Sequence, residues 1–225
     1  MHRCGVVTDR VDETCLNRAT ALTIATAATV VFGALLIAVA TGALGAHSFD
    51  AEVVTRAHRA VLAHPTLLSV TRTLTNVGAP IVVNLLAAAA ALGLWLTGCR
   101  RAAYYVLAVR ISAQVIESAV KVIVGRPRPM LTHPVAHASG YSFPSGHATG
   151  AASVYLPLAV LACGALVRQP FRVLVVSAAA LTCLAVAATR VLLGVHYPSD
   201  VLAGLALGSG LTATATLVLA NNRSP

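Results

Sequence analysis

The sequence predicts an all-α, polytopic membrane protein whose six transmembrane helices form one bundle. Three observations carry the prediction: long apolar runs, a near absence of charge within them, and an arginine bias on alternate connecting loops. Of 225 residues, 57% are hydrophobic and 10% charged, against roughly 25% charged in an ordinary soluble domain, and the mean hydropathy is +0.81. That composition excludes a water-soluble globule. Sixteen basic residues against seven acidic ones give a net charge of +9. Such an excess suggests nucleic acid, but few of the charges lie outside apolar stretches, so no nucleic-acid partner is expected. The scarcity of carboxylates argues against a two-metal site, which needs several converging oxygen ligands.

The first span is Ala21 to Leu44, inside a stretch between Arg18 and Asp50 that carries no acidic or basic side chain. Its length crosses a hydrocarbon layer as a helix. A cleaved signal peptide is the rival reading, but the run exceeds the roughly 7–15 apolar residues of a signal core. Further spans read as Ala79 to Leu96, Ala102 to Ile123, Ala148 to Val167, Val173 to Ala188 and Val201 to Ala220. The fifth is short enough that it is expected to continue past Arg190 before reaching water. Residues 1–20 and 221–225 are then tails, and 21–220 a single domain without internal repeats.

Orientation follows from the loops. Arg3, Arg10, Arg18, Arg100, Arg101, Arg168, Arg172 and Arg223 fall on one side, which the inside-positive bias makes cytoplasmic, both termini included. Trp95, Tyr104 and Tyr105 fall near that interface. Cys4, Cys15 and Cys99 lie on the reducing side and Cys163 and Cys183 within spans, so no disulfide framework is expected. Between Asp50 and His64, Val53, Val54, Ala57 and Val61 recur at helical spacing opposite Glu52, Arg56 and Arg59, as in a helix lying at the membrane surface.

Three polar stretches fall at the opposite, extracytoplasmic face: Lys121 to Pro129, Pro144 to His147, and Arg190 to Asp200. Lys121, Arg126, Arg128 and Arg190 offer fixed positive charge and fork-shaped donors matched to phosphoryl oxygens. Ser145 is placed as an N-cap, with the free amides of Gly146 and His147 directed toward an anion from a helix start. Gly146 lets the backbone approach closely. His196 precedes Asp200 by four residues, with Pro198 suited to the first turn between them. The carboxylate can then accept the Nδ1–H of His196 and leave Nε2 as an in-line nucleophile, while His147 serves as proton donor to the leaving oxygen. Lys121, Arg128, Arg190 and the Ser145–Gly146 region would stabilise the charge of the transition state.

These stretches resemble the motifs K-x6-RP, PSGH and SR-x5-H-x3-D of the type 2 phosphatidic acid phosphatase family, which shares its core with vanadium haloperoxidases. Lys121 with Arg128-Pro129 matches the first, Pro144 to His147 the second, and Arg190, His196 and Asp200 the third, with Thr189 where the family has serine. The resemblance runs from the third span onward. It implies His196 as nucleophile, Asp200 as its partner, His147 as acid, the basic residues and Ser145 as phosphate ligands, and neither metal nor cofactor. Arg126 lies outside the strict spacing but in the same loop, and is also assigned to phosphate. The expected substrate is a lipid phosphate or diphosphate, such as undecaprenyl diphosphate or a phosphatidate-like lipid, presented by the bilayer. Transfer of the phosphoryl group to another acceptor, a noncatalytic anion channel or lipid-binding protein, and vanadate-dependent peroxidation are the competing readings.

Other polar residues have plainer explanations. Glu117 and Lys121 are four apart on one helix face and read as an ion pair, and Arg110 shares that face. Cys4-x5-Arg10 mimics the loop of cysteine-dependent phosphatases, but sits in a short tail without the strand and helix that aim such a loop. His47, His58, His64, His133 and His137 read as surface polarity, the last two within reach of the pocket.

Overall fold

The computed structural model describes residues 16–44, 48–132, 134–166 and 168–221. The N-terminal tail to Cys15, with Cys4 and Arg10, and also His47, His133, Val167 and Arg223 lie outside the described residues. The described chain is helical: α1 (Arg18–Ala40), α2 (Phe49–Leu62), α3 (Pro65–Thr75), a 3₁₀ turn (Asn76–Gly78), α4 (Pro80–Leu96), α5 (Arg100–Val124), α6 (Gly146–Ala165), α7 (Gln169–Leu192) and α8 (Pro198–Asn221). Asn17 caps α1 by accepting from the Thr20 amide at 2.8 Å, and prolines open α3, α4, α7 and α8, where a missing N–H costs nothing.

Among the described residues, four helices, α1, α6, α7 and α8, are long and apolar enough to cross a membrane, and a fifth span arises if the bent pair α3 and α4 counts as one. The six expected spans correspond to α1 and α4–α8, but α4 alone has 17 residues, and α5, at 25, carries Arg110, Gln114, Glu117 and Lys121. The fifth span does continue beyond Arg190, to Leu192. Helix α3 precedes the expected start of the span at Ala79, in a mixed Thr–Leu pattern with no long apolar run to announce it.

Helix α6 is the centre of the bundle, packed against α4, α5, α7 and α8, while α1 covers α8 from outside. In hydrocarbon, apolar side chains gain little by leaving lipid, so close van der Waals contact between small residues holds helices together. The α6–α8 seam shows this: a Cβ on Gly208 would lie 2.5 Å from the Ala152 Cβ, and one on Gly204 would lie 2.7 Å from the Ser145 carbonyl oxygen. Ala148, Ala151, Ala152 and Ala203 along it have no exposed surface. This approach brings the first turns of α6 and α8 side by side.

Polar groups within the bundle pair with one another. Tyr105, expected at the interface, is buried and bonds Thr216 through their hydroxyls at 2.9 Å. Trp95 and Tyr104 stack edge to face, and the Arg100 guanidinium lies 5.1 Å from the Trp95 ring centre. Arg110 donates to Asn84 at 2.8 Å and also to Gln114. Cys99, Cys163 and Cys183 are buried.

The buried face of α2 consists of Asp50, Val54, His58 and Val61, so this helix packs on the protein more deeply than a surface helix would. His58 is correspondingly not a surface residue: it is buried, with Nδ1 3.3 Å from the Leu192 carbonyl oxygen.

The seam yields a test. Gly208→Ala should lower stability in detergent by about 1–3 kcal/mol, the usual cost of overpacking. Gly33→Ala, where nothing lies within 4 Å, should stay within about 0.5 kcal/mol of the parent. Thermal unfolding of both variants, followed by near-ultraviolet circular dichroism, checks the difference.

Candidate active site

The three polar stretches meet at one end of the bundle. Helix α5 ends at Gly125, whose φ of 61° provides the left-handed turn that releases the chain and suits glycine. The connection that follows, through residue 145, carries Arg126 and Arg128 back across the top of the bundle. The Ser145 amide donates to the Asp200 carbonyl at 2.9 Å, which locks the start of α6 to the start of α8.

His196 and Asp200 are arranged as their spacing predicts. Asp200, in the first turn of α8, has no exposed surface, and His196 is 2% exposed. His196 Nδ1 lies 3.3 Å from Asp200 Oδ2, and the Tyr197 amide donates to the same oxygen at 2.9 Å. On the far side of the ring, Nε2 is 3.1 Å from Arg128 Nη1. An acceptor at one ring nitrogen and a donor at the other fix the tautomer: Nδ1 carries the proton toward the carboxylate, and Nε2 turns its lone pair toward the guanidinium. Burial pushes His196 down to about 4, with Asp200 acting upward and Arg128 and Arg190 downward. Burial also pulls Arg128 below the usual guanidinium range, against the pull of Asp200.

The cations surround this pair. Arg128 is held by the carbonyls of Gly140, Ser139 and Val195 at 3.0, 2.9 and 2.9 Å, a loop framework that sets the direction of its fork. Arg190, 6% exposed, donates through Nη1 to Thr75 at 2.8 Å, and its buried Nε has no protein partner. Lys121 bonds Glu117 at 2.9 Å, as the four-residue spacing predicts, and the Pro144 carbonyl at 2.6 Å, which leaves one of its three N–H donors. The charges of Arg190, His196, Lys121 and Arg128 all act on His147, so the two imidazoles share one electrostatic environment.

Ser145 takes the N-cap position of α6, but its hydroxyl does not cap the helix: it is buried and has no hydrogen-bond partner among the described residues. At Gly146 a Cβ would meet Glu117 Oε1 at 2.6 Å, so a larger residue would displace the end of that side chain. The close approach is that of a carboxylate to a helix start, a favourable pairing with the dipole.

Arg126 departs from its assignment as a phosphate ligand. It is 6% exposed, and its terminal nitrogens donate to Asp200 Oδ1 (2.6 Å), Ser199 Oγ (2.6 Å), Asp50 Oδ2 (2.7 Å) and the Leu44 carbonyl (2.7 Å). Its donors are spent on protein. Asp50, Ser199, Tyr197 and Thr75 are the residues that motif spacing missed; Asp50 reaches Arg126 across 76 residues, a pairing that no local pattern reports.

Beside Arg128, a cavity of about 170 Å³ is lined by Arg128, Leu131, His137, Gly194 and Val195 among others, which puts His137 in the same cavity as Arg128. A larger cavity, about 480 Å³, runs along Glu52, Arg56 and Arg59 of α2 and shares none of these residues. Among the described residues, no three His, Cys, Asp or Glu side chains are grouped to hold a metal ion.

Comparison with known proteins places this geometry. The chain is similar to lipid A 1-phosphatase of Rhizobium etli, 31% identical over 125 residues, covering 52% of this chain and 50% of the relative. It is similar to phosphatidylglycerophosphatase B of Bacillus subtilis, 37% identical over 100 residues, covering 42% and 47%. A third relative is decaprenylphosphoryl-5-phosphoribose phosphatase of Mycobacterium tuberculosis, 40% identical over 106 residues, covering 45% and 52%. The chain thus spans about half the length of the curated relatives it matches. The fold is similar to the crystal structure of a transmembrane PAP2 type phosphatidylglycerolphosphate phosphatase from Bacillus subtilis, with a TM-score of 0.71, 25% identity and coverage of 89% of this chain and 97% of that one. The model of the PAP2 superfamily matches residues 101–224, from the start of α5 through α8, and the chain belongs to that superfamily.

Proposed function

We propose that this protein is an integral membrane lipid phosphatase that hydrolyses a phosphomonoester or diphosphate of an amphiphilic lipid through a phosphohistidine on His196. The observation that carries this reading is a histidine oriented by a buried carboxylate, set among cations beside two buried donors without protein partners, Ser145 Oγ and Arg190 Nε. A buried unpaired donor is costly; a phosphoryl group would satisfy both.

In the first step, His196 Nε2 attacks phosphorus, the bond to the leaving oxygen breaks, and His147 donates a proton to that oxygen. Asp200 stabilises the positive charge that His196 acquires. In the second, water attacks phosphorus, His147 takes its proton, the P–N bond breaks and inorganic phosphate leaves. Lys121, Arg128, Arg190, Ser145 and the amides that open α6 stabilise the charge on the equatorial oxygens. Arg128 must exchange its contact with Nε2 for the phosphoryl group. No resident metal or cofactor has a part in this scheme.

Helix α5, with its polar side chains turned into the bundle, and the bent pair α3–α4 complete six crossings of one domain over residues 21–220. The arginine bias puts both termini in the cytoplasm and the site outside. The substrate headgroup then enters from the extracytoplasmic face, by the cavity beside Arg128, with its tail in the bilayer. The names of the three relatives share one chemistry, a phosphate carried on a lipid.

A panel of lipid phosphates and diphosphates in detergent tests the reading: phosphate release should survive a strong chelator and fall by about 10⁴-fold or more in His196→Ala. Unchanged turnover in that variant would overturn the mechanism. The pH profile gives a second test. His196 must be neutral to attack, so kcat/KM of the free enzyme should fall as pH drops through about 4. Because Asp200 acts upward on His196, Asp200→Asn should move this limb to lower pH while reducing kcat.

A further inference from the structure

The carboxylate that holds His196 is itself held, by residues that none of the three motifs contains. Arg126 places one terminal nitrogen on Asp200 Oδ1 at 2.6 Å and the other on Asp50 Oδ2 at 2.7 Å. Asp50 Oδ1 accepts from the Ser199 amide at 3.0 Å, and the Ser199 hydroxyl donates to Asp50 Oδ2 while accepting from Arg126 at 2.6 Å. The Tyr197 ring lies over the guanidinium at 4.0 Å. Asp50 and Ser199 are each 4% exposed.

Burying three charges has a large desolvation cost, and a contact that merely joined α2 to α8 would be as stable or more so if apolar. The arrangement does what an apolar contact cannot. Arg126 occupies Oδ1 of Asp200, so that the carboxylate cannot rotate and Oδ2 stays with His196. Asp50 takes the other half of the same fork, so that the guanidinium charge is shared between two carboxylates and Asp200 remains a strong acceptor.

We propose that Asp50 and Arg126 are positioning residues that fix the rotamer and the charge of Asp200, and through it the orientation and basicity of His196. This inference rests on the reading of His196 as nucleophile. The charged groups acting on His196 besides Asp200 are Arg128 and Arg190, His196 acts in turn on His147, and none of these belongs to the Asp50–Arg126 pair.

The test is the titration of His196 in the full chain in detergent, followed by ¹⁵N NMR of histidine-labelled protein and assigned by the signal lost in His196→Ala. Turnover of dioctanoyl phosphatidate is measured alongside. In Asp50→Asn the whole Arg126 charge falls on Asp200, so the midpoint should move down by about 0.5–1 unit, and kcat should fall about 10–100-fold with KM little changed. Asp50→Glu should restore much of both. The double variant Asp50→Asn/Arg126→Met removes one charge of each sign, which keeps the buried balance. Its midpoint should instead rise, because His196 is then the one cationic partner left to Asp200, while kcat stays low because only the Tyr197 amide still restrains the carboxylate.

A midpoint unmoved in both variants, or folding lost in both, would assign the network to tethering α2 and overturn the positioning role. Turnover surviving in His196→Ala would overturn the nucleophile assignment instead. Turnover lost there, with an unmoved midpoint in Asp50→Asn, overturns this inference alone.

Discussion

Asp200 is a carboxylate with no exposed surface at the end of a membrane helix bundle, and its need for partners organises everything around it. One oxygen takes Arg126; the other takes the Tyr197 amide and His196; the backbone carbonyl takes the Ser145 amide. Three separate parts of the chain are thereby drawn to one point: the connection after α5, the start of α6, and the turn between α7 and α8. Through Arg126 the demand reaches a fourth, the first turn of α2. An unpaired carboxylate there would be far more costly than the same group in water, so the functional end of the bundle is also its most constrained.

The lipid-facing and inward-facing chemistry is otherwise divided as a bilayer requires. Long apolar side chains point outward, as on α1 and the outer faces of α4 and α7. Small residues line the α6–α8 seam, and away from the site most buried polar groups find a partner a turn or one helix away, as Tyr105 does in Thr216. Arg110 is the exception that remains within the apolar part: two of its nitrogens are bonded to Asn84 and Gln114, and Nη1 has no partner. It sits on the same α5 face as Glu117 and Lys121, so one helix carries its polar residues in a continuous inward stripe that ends at the site.

What could be read from the sequence was what is local. His196 and Asp200, and Glu117 and Lys121, are four residues apart, and one helical turn converts that spacing into contact. The apolar runs located α1 and α4–α8 to within a few residues because length and hydropathy are properties of each segment alone. What escaped was set by packing across distance. Arg126 looked like a fourth cationic phosphate ligand because it stands in a basic loop, and only its position against Asp50 shows where its donors go. His58 looked like surface polarity because α2 has a charged side; its burial depends on α7 ending beneath it. At Gly146 the group that closes in is the Glu117 carboxylate of α5, a neighbour that no spacing within the PSGH stretch reports.

The central claim is that His196 Nε2 forms a bond to phosphorus. It is tested most directly by rapid quench of the enzyme with a ³²P-labelled lipid phosphate, followed by peptide mapping under alkaline conditions that preserve phosphohistidine. The account predicts transient label on the peptide containing His196, at Nε2, and none in Asp200→Asn at the same time point. Burst-phase turnover without a labelled protein, or label on any other residue, would contradict it.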